Sequence, residues 1–263
     1  MGSNSSIRIR WLFAALALPV LMPAMASEKA SKQDVIAFNA TVRVEVDASG
    51  KPTKVEAPED LPATVRSYIE TRVASWQYEP ARINDVPAAA VTFVHVGACA
   101  IPVTEGFRLG LDFKGNGPMI AGKHRYFLPP PMYPLELMRA GAQGDFKVSY
   151  VIQKNGSTRL VDITPMEGTS KRHLKAFRSV LADWVEDLRY TPEQVAGEAV
   201  ETELSIPVNF MLSTGGPQSH KSYQQQVIDQ ALASRECFAA KGASGLLPIA
   251  SNSPIKVTPA PAT

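Results

Sequence analysis

Four histidines, two cysteines and one short basic run are the side chains in this 263-residue sequence that could carry chemistry. Nucleophilic catalysis needs a Ser or Cys beside a His that a third group orients. His95, His124, His173 and His220 are scattered, and none sits in such a frame. His95 falls inside an apolar strand pattern, where an imidazole that only packs is the plainer reading. A zinc site would want ligands paired at short spacing, and neither C-x-x-C nor H-x-x-x-H occurs. Gly110, Gly115 and Gly117 follow no G-x-x-x-x-G-K-S/T pattern, so no phosphate-binding loop is indicated. Lys171-Arg172-His173 opens a helical pattern, where positive charge opposes the helix dipole; it reads as a solvated face or as a contact for an acidic partner. On this reading the chain has no catalytic residues, no metal and no cofactor, and what remains is binding.

The first 26 residues stand apart from the fold. Arg8 and Arg10 form a basic start, Trp11 to Met22 is an apolar stretch broken by Pro19, and Ala24-Met25-Ala26 fits the small-x-small cleavage rule of a signal peptide. About a dozen apolar residues are too few for a bilayer core of ~30 Å, which needs about 20. An uncleaved anchor is the alternative. No Cys lies at the cleavage point, so lipoprotein anchoring is not indicated. Cleavage removes two of the 27 Lys+Arg and none of the 25 Asp+Glu, leaving 25 against 25. A mature chain with no net charge gives no argument for nucleic acid or an anionic membrane surface. Export also sets the redox compartment, where an even cysteine count implies a disulfide. Cys99 and Cys237 are the expected pair; closing a loop of more than 100 residues is worth about 4–5 kcal/mol in the chain-entropy picture.

The residues above need elements to position them. Hydrophobic content of 45% and charge of 20% are those of a globular protein, and the length has room for about two domains. In the second half of the chain, Phe146, Val148, Tyr150 and Ile152 alternate as a strand that runs into Lys154-Asn155-Gly156, a hairpin signal. Val161 and Ile163 begin a short return strand. Leu174, Phe177, Leu181, Trp184 and Leu188 recur at helical spacing and must stop before Pro192. After the Ala196-Gly197-Glu198 turn, Thr202, Leu204, Ile206, Val208 and Phe210 alternate again. Strand, hairpin, strand, helix, strand describes one helix laid across a small antiparallel sheet.

Tyr133-Pro134, Gly144, Gly156, Trp184, Tyr190-x-Pro192, Gly197 and Ile206-Pro207-Val208-x-Phe210, in that order, resemble the C-terminal domain of TonB-type energy transducers, over roughly Pro129 to Leu212. The first half repeats the grammar in weaker form. Val42, Val44 and Val46 alternate into the turn Ala48-Ser49-Gly50, with a return strand at Lys54 to Glu56. Val65, Tyr68, Ile69, Val73 and Trp76 form a helical face, with Asp60 as N-cap and Pro62 in the first turn. Tyr78-Glu79-Pro80, a turn at Asn84-Asp85 and an apolar strand from Ala90 to Val96 follow. Pairing Gly50 with Gly156, Trp76 with Trp184, and Tyr78-x-Pro80 with Tyr190-x-Pro192 suggests two tandem copies. The first is degenerate because it lacks a Tyr-Pro entrance.

The expected fold class is therefore α+β: two small two-layer domains, each one helix on a short antiparallel sheet, plus a C-terminal helix. The expected organisation is a signal peptide at 1–26, a degenerate TonB-C-like domain at 34–114, a linker at 115–132 and a TonB-C-like domain at 133–212. A helix at 220–242 and a disordered tail at 252–263 complete it. Phe107, Leu109, Leu111 and Phe113 alternate and should close the first sheet. Pro129-Pro130-Pro131 is a stiff approach to the second domain.

The resemblance implies a function. Members of that family span the periplasm, draw on a proton-driven complex of the inner membrane and engage outer-membrane receptors. Their C-terminal domain accepts a receptor peptide along an exposed sheet edge. Carried over by position, the partner-binding residues would be Tyr133, Pro134, Glu203, Leu204, Ser205, Ile206 and Asn209. Unpaired backbone groups make such an edge a template, although Pro207 removes one donor. In the alternative reading, Tyr133-Pro134 caps the core and Pro207 protects the edge. The chain departs from the family in having no durable membrane anchor and no long Pro-rich spacer. The expectation is thus a periplasmic, non-enzymatic protein-binding or scaffold protein whose partner is an envelope protein, such as a TonB-dependent outer-membrane receptor. Membrane contact follows only if the N-terminal segment stays uncleaved. The alternatives are a membrane-anchored energy transducer and an exported hydrolase of unrecognised type.

Overall fold

A computed structural model describes residues 36–103, 106–122, 128–167, 169, 171–212, 249–250 and 252–260. Residues 1–35, which include the expected signal peptide, lie outside the described residues, as do the expected helix at 220–242, Cys237, His124 and His220.

The first set of elements begins with β1 (Ile36–Val46), whose Ala40, Val42, Val44 and Val46 are buried on one face. The chain turns at Asp47–Lys51 into β2 (Pro52–Glu56). There the Gly50 N–H donates to the Asp47 carbonyl at 3.0 Å, with Gly50 at φ +86°. Helix α1 (Ala63–Ala74) follows and buries Ile69 and Val73. Its N-cap is Pro62 and no side chain caps it. Asp60, expected at the cap, lies two residues before Pro62, in the turn closed by the Leu61 N–H on the Pro58 carbonyl. Then come β3 (Gln77–Glu79), the hairpin β4 (Ala81–Ile83) and β5 (Val86–Ala88), and the long β6 (Ala90–Val103). Asn84 and Asp85 both take positive φ, which the two-residue β4–β5 turn demands. Two strands, β7 (Gly106–Gly117) and β8 (Met119–Ile120), lie between the sets.

The second set opens with the short α2 (Leu135–Arg139) and continues as β9 (Gly144–Ile152) and β10 (Thr158–Pro165). The Gly156 N–H donates to the Gln153 carbonyl at 2.8 Å, the same turn as at Gly50. Only Gly156 takes positive φ; Asn155 instead uses its side-chain oxygen to accept from the Ser157 N–H at 3.0 Å. Val161 lies in a bulge between Leu160 and Asp162, so it is exposed while Ile163 is buried. Lys171–His173 forms a 3-10 turn and α3 (Leu174–Asp187) buries Phe177, Leu181, Trp184 and Val185. The chain then gives β11 (Tyr190–Thr191), the hairpin β12 (Gln194–Val195) and β13 (Glu198–Ala199), and β14 (Thr202–Phe210). The tail contributes β15 (Ile249–Ala250) and β16 (Lys256–Thr258).

One sheet runs β13-β12-β6-β1-β2 with β7 also on β6; the other runs β10-β9-β14-β15. The β9–β14 ladder repeats the β1–β6 ladder pair for pair. Val44 faces Thr92 as Tyr150 faces Leu204, and Thr41 faces His95 as Lys147 faces Pro207. In both, the hairpin glycine lies under the tyrosine carbonyl after the helix: a Cβ on Gly50 would come 2.3 Å from the Tyr78 oxygen, and one on Gly156 2.1 Å from that of Tyr190.

Each sheet carries its own core. One joins Val42, Val44, Ile69, Val73, Trp76 and Tyr78; the other joins Phe146, Tyr150, Phe177, Leu181, Trp184 and Phe210. Burying each large side chain is worth about 1.5–3 kcal/mol. The two sets also exchange strands, which two independent domains would not do. After β6, the chain pairs β7 along it and then sends β8 across to β11 of the second set. After β14, the tail pairs β15 along it and then sends β16 across to β3 of the first. The β12–β13 hairpin joins β6, and Val195 packs in the first core.

Two expectations therefore need correction. The segment 115–132 is not only a linker: β7 runs to Gly117, and Ile120 and Leu128 are buried in the second core. Nor is the tail from Asn252 disordered through its described length, because β16 pairs with β3 and Ile255 is buried in the first core. Its Pro, Ser and Ala composition suggested disorder, but one buried Ile and a short ladder suffice to hold it. No helix among the described residues is long and apolar enough to cross a membrane.

Candidate partner-binding edge

The seven residues expected at a partner contact lie along β14 and at its far end. Side chains of Leu204 and Ile206 point into the second core and are each 1% exposed. Glu203, Ser205 and Asn209 alternate with them onto the other face. Asn209 Nδ2 donates to Asp145 Oδ1, and the Ser205 and Ser149 hydroxyls lie 3.2 Å apart across the ladder. Tyr133 sits at the Phe210 end, its ring 5.2 Å from that of Phe210 and 6.5 Å from that of Phe177. Its hydroxyl donates to the Ala142 carbonyl, and burial raises its pKa. Pro134 is the N-cap of α2. Tyr133 is thus chiefly a core-closing residue. Glu203 and Phe210 are about 24 Å apart at ~3.4 Å per residue, so the seven do not form one patch.

The backbone of β14 is the more informative feature. The Glu203 N–H donates outward, to Asn252 Oδ1 at 2.6 Å. Residues two apart point the same way, so Ser205, residue 207 and Asn209 also face the outer edge. Pro207 has no N–H to offer. The outer donors are therefore Glu203 and Ser205 at the head of the strand and Asn209 near its end. β15 pairs at Leu204 and Ser205. Among the described residues nothing pairs with the outer edge of Ile206–Phe210. Two other outer strands, β2 and β10, are guarded. β2 begins with Pro52 and carries ion pairs from Glu56 to Arg43 and Lys54, and β10 has its bulge and ends at Pro165.

Glu193 was not singled out by any sequence pattern, because it follows Pro192 in a turn with no periodicity to mark it. Its side chain is fully buried. Thr92 Oγ1 donates to it at 2.6 Å, Ser253 Oγ at 2.7 Å and Thr202 Oγ1 at 3.3 Å. Burial raises its pKa, and these hydrogen bonds from Thr92, Ser253 and Thr202 oppose the rise. Asn116 Nδ2 donates to Ser253 Oγ and to the Ile255 carbonyl, each at 2.9 Å. One carboxylate thus gathers β6, β14 and the tail, with β7 joined through Asn116.

His95 is 4% exposed, its Nδ1 3.0 Å from Thr41 Oγ1, and burial lowers its pKa to about 4. A cleft of about 760 Å³ lies nearby, lined by Thr41, Arg43, Glu56, Phe93 and Met119. Arg43 is held in ion pairs with Glu45 at 2.5 Å and Glu56 at 2.9 Å. No acidic side chain hydrogen-bonds His95 Nε2 among the described residues. Among the described residues no cluster of His, Cys, Asp and Glu could hold a metal. Cys99 is buried on β6, opposite Ala37 and Gly110, and no described cysteine is a free thiol.

The second set of elements is thus a small two-layer α+β unit with one unguarded antiparallel edge. Residues 129–212, about a third of the chain, match the family described as Gram-negative bacterial TonB protein C-terminal. No curated protein matches the chain.

Proposed function

We propose that this chain is a non-enzymatic protein-binding module of the Gram-negative cell envelope, acting in the periplasm after export. In this reading the chain carries two tandem TonB-C-like copies, the first degenerate. The second offers the β14 edge to an extended segment of an envelope protein, such as an outer-membrane receptor. The observation that carries the reading is the contrast between the two sheets. The outer side of β6 is filled by β7 from Phe93 to Val103, whereas β14 holds only β15 at Leu204 and Ser205. An edge with unpaired backbone groups takes a strand in main-chain register. Ser205→Pro removes one outer donor and should abolish capture of the partner by the purified protein in envelope extracts, whereas Ser149→Ala, on inner β9, should leave it intact. Equal capture by both variants would refute edge pairing.

The match of residues 129–212 to the TonB C-terminal family supports a second reading, in which the N-terminal segment stays uncleaved and the chain transmits force as an energy transducer. N-terminal sequencing separates the two. A chain beginning at Ser27 in the soluble periplasmic fraction ends the transducer reading, and an intact N-terminus in the inner-membrane fraction ends the scaffold reading. The Cys99–Cys237 bridge belongs to this same proposal of export. Unreduced protein should take up no alkylating reagent, and two modified cysteines would disprove the bridge.

A further inference from the structure

The part of the β14 edge that is richest in outward donors is already occupied by the chain's own tail. Antiparallel pairing sets Ser205 against Ile249 and Leu204 against Ala250, and Asn252 Oδ1 then takes the Glu203 N–H. Beyond Ser205 the next outward position is Pro207, which cannot donate, and only Asn209 follows. An incoming strand that used the contiguous donors would have to lie where Ile249, Ala250 and Asn252 lie now.

The tail is held there from both sides. Ser253, the next residue, donates to buried Glu193 and accepts from Asn116 Nδ2. Ile255 is 1% exposed in the first core, and Lys256–Thr258 pair with β3. The occupant of the second sheet's edge is therefore fastened to the first set of elements. Moving it off β14 need not unfold β16, because Asn252 and Ser253 lie between the two short ladders.

We propose that Ile249, Ala250 and Asn252 form an autoinhibitory cover, which occupies the head of the β14 edge and must leave before a partner segment can pair there. This deepens the edge-pairing reading and depends on it for its biological meaning, but the occlusion is testable with no partner at all. The full chain is compared with the variant Ile249→Pro/Asn252→Ala, which removes the N–H that Ile249 turns to β14 and the acceptor for Glu203. Site-resolved hydrogen exchange should show the Glu203 and Ser205 amides at least tenfold faster in the variant. The Leu204 and Ile206 amides, which point to β9, should be unchanged and so report an intact sheet. A labelled synthetic peptide of residues 246–260 should bind the variant at least tenfold more tightly than the unaltered chain. Unchanged exchange at Glu203 and Ser205, or equal peptide binding by both proteins, would overturn the proposal. Failure of Ser205→Pro to affect partner capture would refute edge pairing while leaving these two readouts standing.

Discussion

Strands β6 and β14 occupy the same place in two ladders of identical register, yet their outer edges are treated differently. β6 is sealed along most of its length by β7, while β14 carries a two-residue strand and a proline. The position opposite each β1 or β9 residue makes the divergence concrete. Where β6 has His95, buried and bonded to Thr41, β14 has Pro207 facing Lys147. The two sets share an interior plan and differ at the edge. Cores constrain size and polarity at alternating positions, whereas an edge needs only donors and acceptors, which any strand or solvent can satisfy.

The largest expected effects ask whether the two cores stand alone. Leu181→Ala and Ile69→Ala each empty a fully buried position and should each cost about 2–5 kcal/mol. Because β8, β12 and β16 cross between the sets, both variants should lower one shared cooperative transition in denaturant. Two separated transitions, each moved by one variant only, would show that the exchanged strands couple nothing.

The pH dependence separates two buried groups by sign, His95 within the first sheet and Glu193 between the sheets. His95 falls from an ordinary value near 6.5 to about 4 on folding. The unfolded chain therefore binds the extra proton between those values. Its contribution is fully present above pH 6.5 and is lost as pH falls to about 4, by an amount on the order of 3 kcal/mol. Glu193 has the opposite sign. Its raised pKa gives stability that is complete below the ordinary carboxylate range and is lost as pH rises through the folded value. His95→Leu should flatten the acid limb of the stability profile and Glu193→Gln should steepen it. A profile that neither variant changes would remove both groups as the cause.

Gly50→Ala and Gly156→Ala probe the feature the sets share most closely. Each places a Cβ against a tyrosine carbonyl at a positive φ and should cost about 2–3 kcal/mol. Similar losses would support a common turn, and a loss at only one would break the equivalence. The smallest contrast is between the tryptophans. Trp184 Nε1 donates to the Pro129 carbonyl at 2.8 Å, whereas Trp76 Nε1 has no partner among the described residues and its ring packs edge-on to Phe113. Trp184→Phe should therefore cost about 1 kcal/mol more than Trp76→Phe in equilibrium unfolding.

Much of each core was legible in the chain. The stripe Phe177, Leu181 and Trp184 and the alternation of Leu204, Ile206 and Val208 are periods of 3.6 and 2 that burial enforces locally. The hairpin glycines were legible for a similar reason, since both turns need a left-handed residue at one position. Of the residues expected at a contact, Glu203, Ser205 and Asn209 alternate away from the core, whereas Leu204 and Ile206 point inward and the Tyr133 ring packs against Phe210. The bulge at Val161 and the buried Glu193 left no periodic trace.

By itself, then, the sequence determined which side chains face inward, where the chain turns back, and the family likeness of residues 129–212. Only the tertiary structure decided that β7 seals one edge, that Ile249, Ala250 and Asn252 cover the head of the other, and that Glu193 fastens the tail between the sheets. Inward faces are written residue by residue, because each side chain carries its own cost of exposure. A strand edge presents the same backbone N–H and C=O whatever the sequence, so the chain coming back to it selects what fills it.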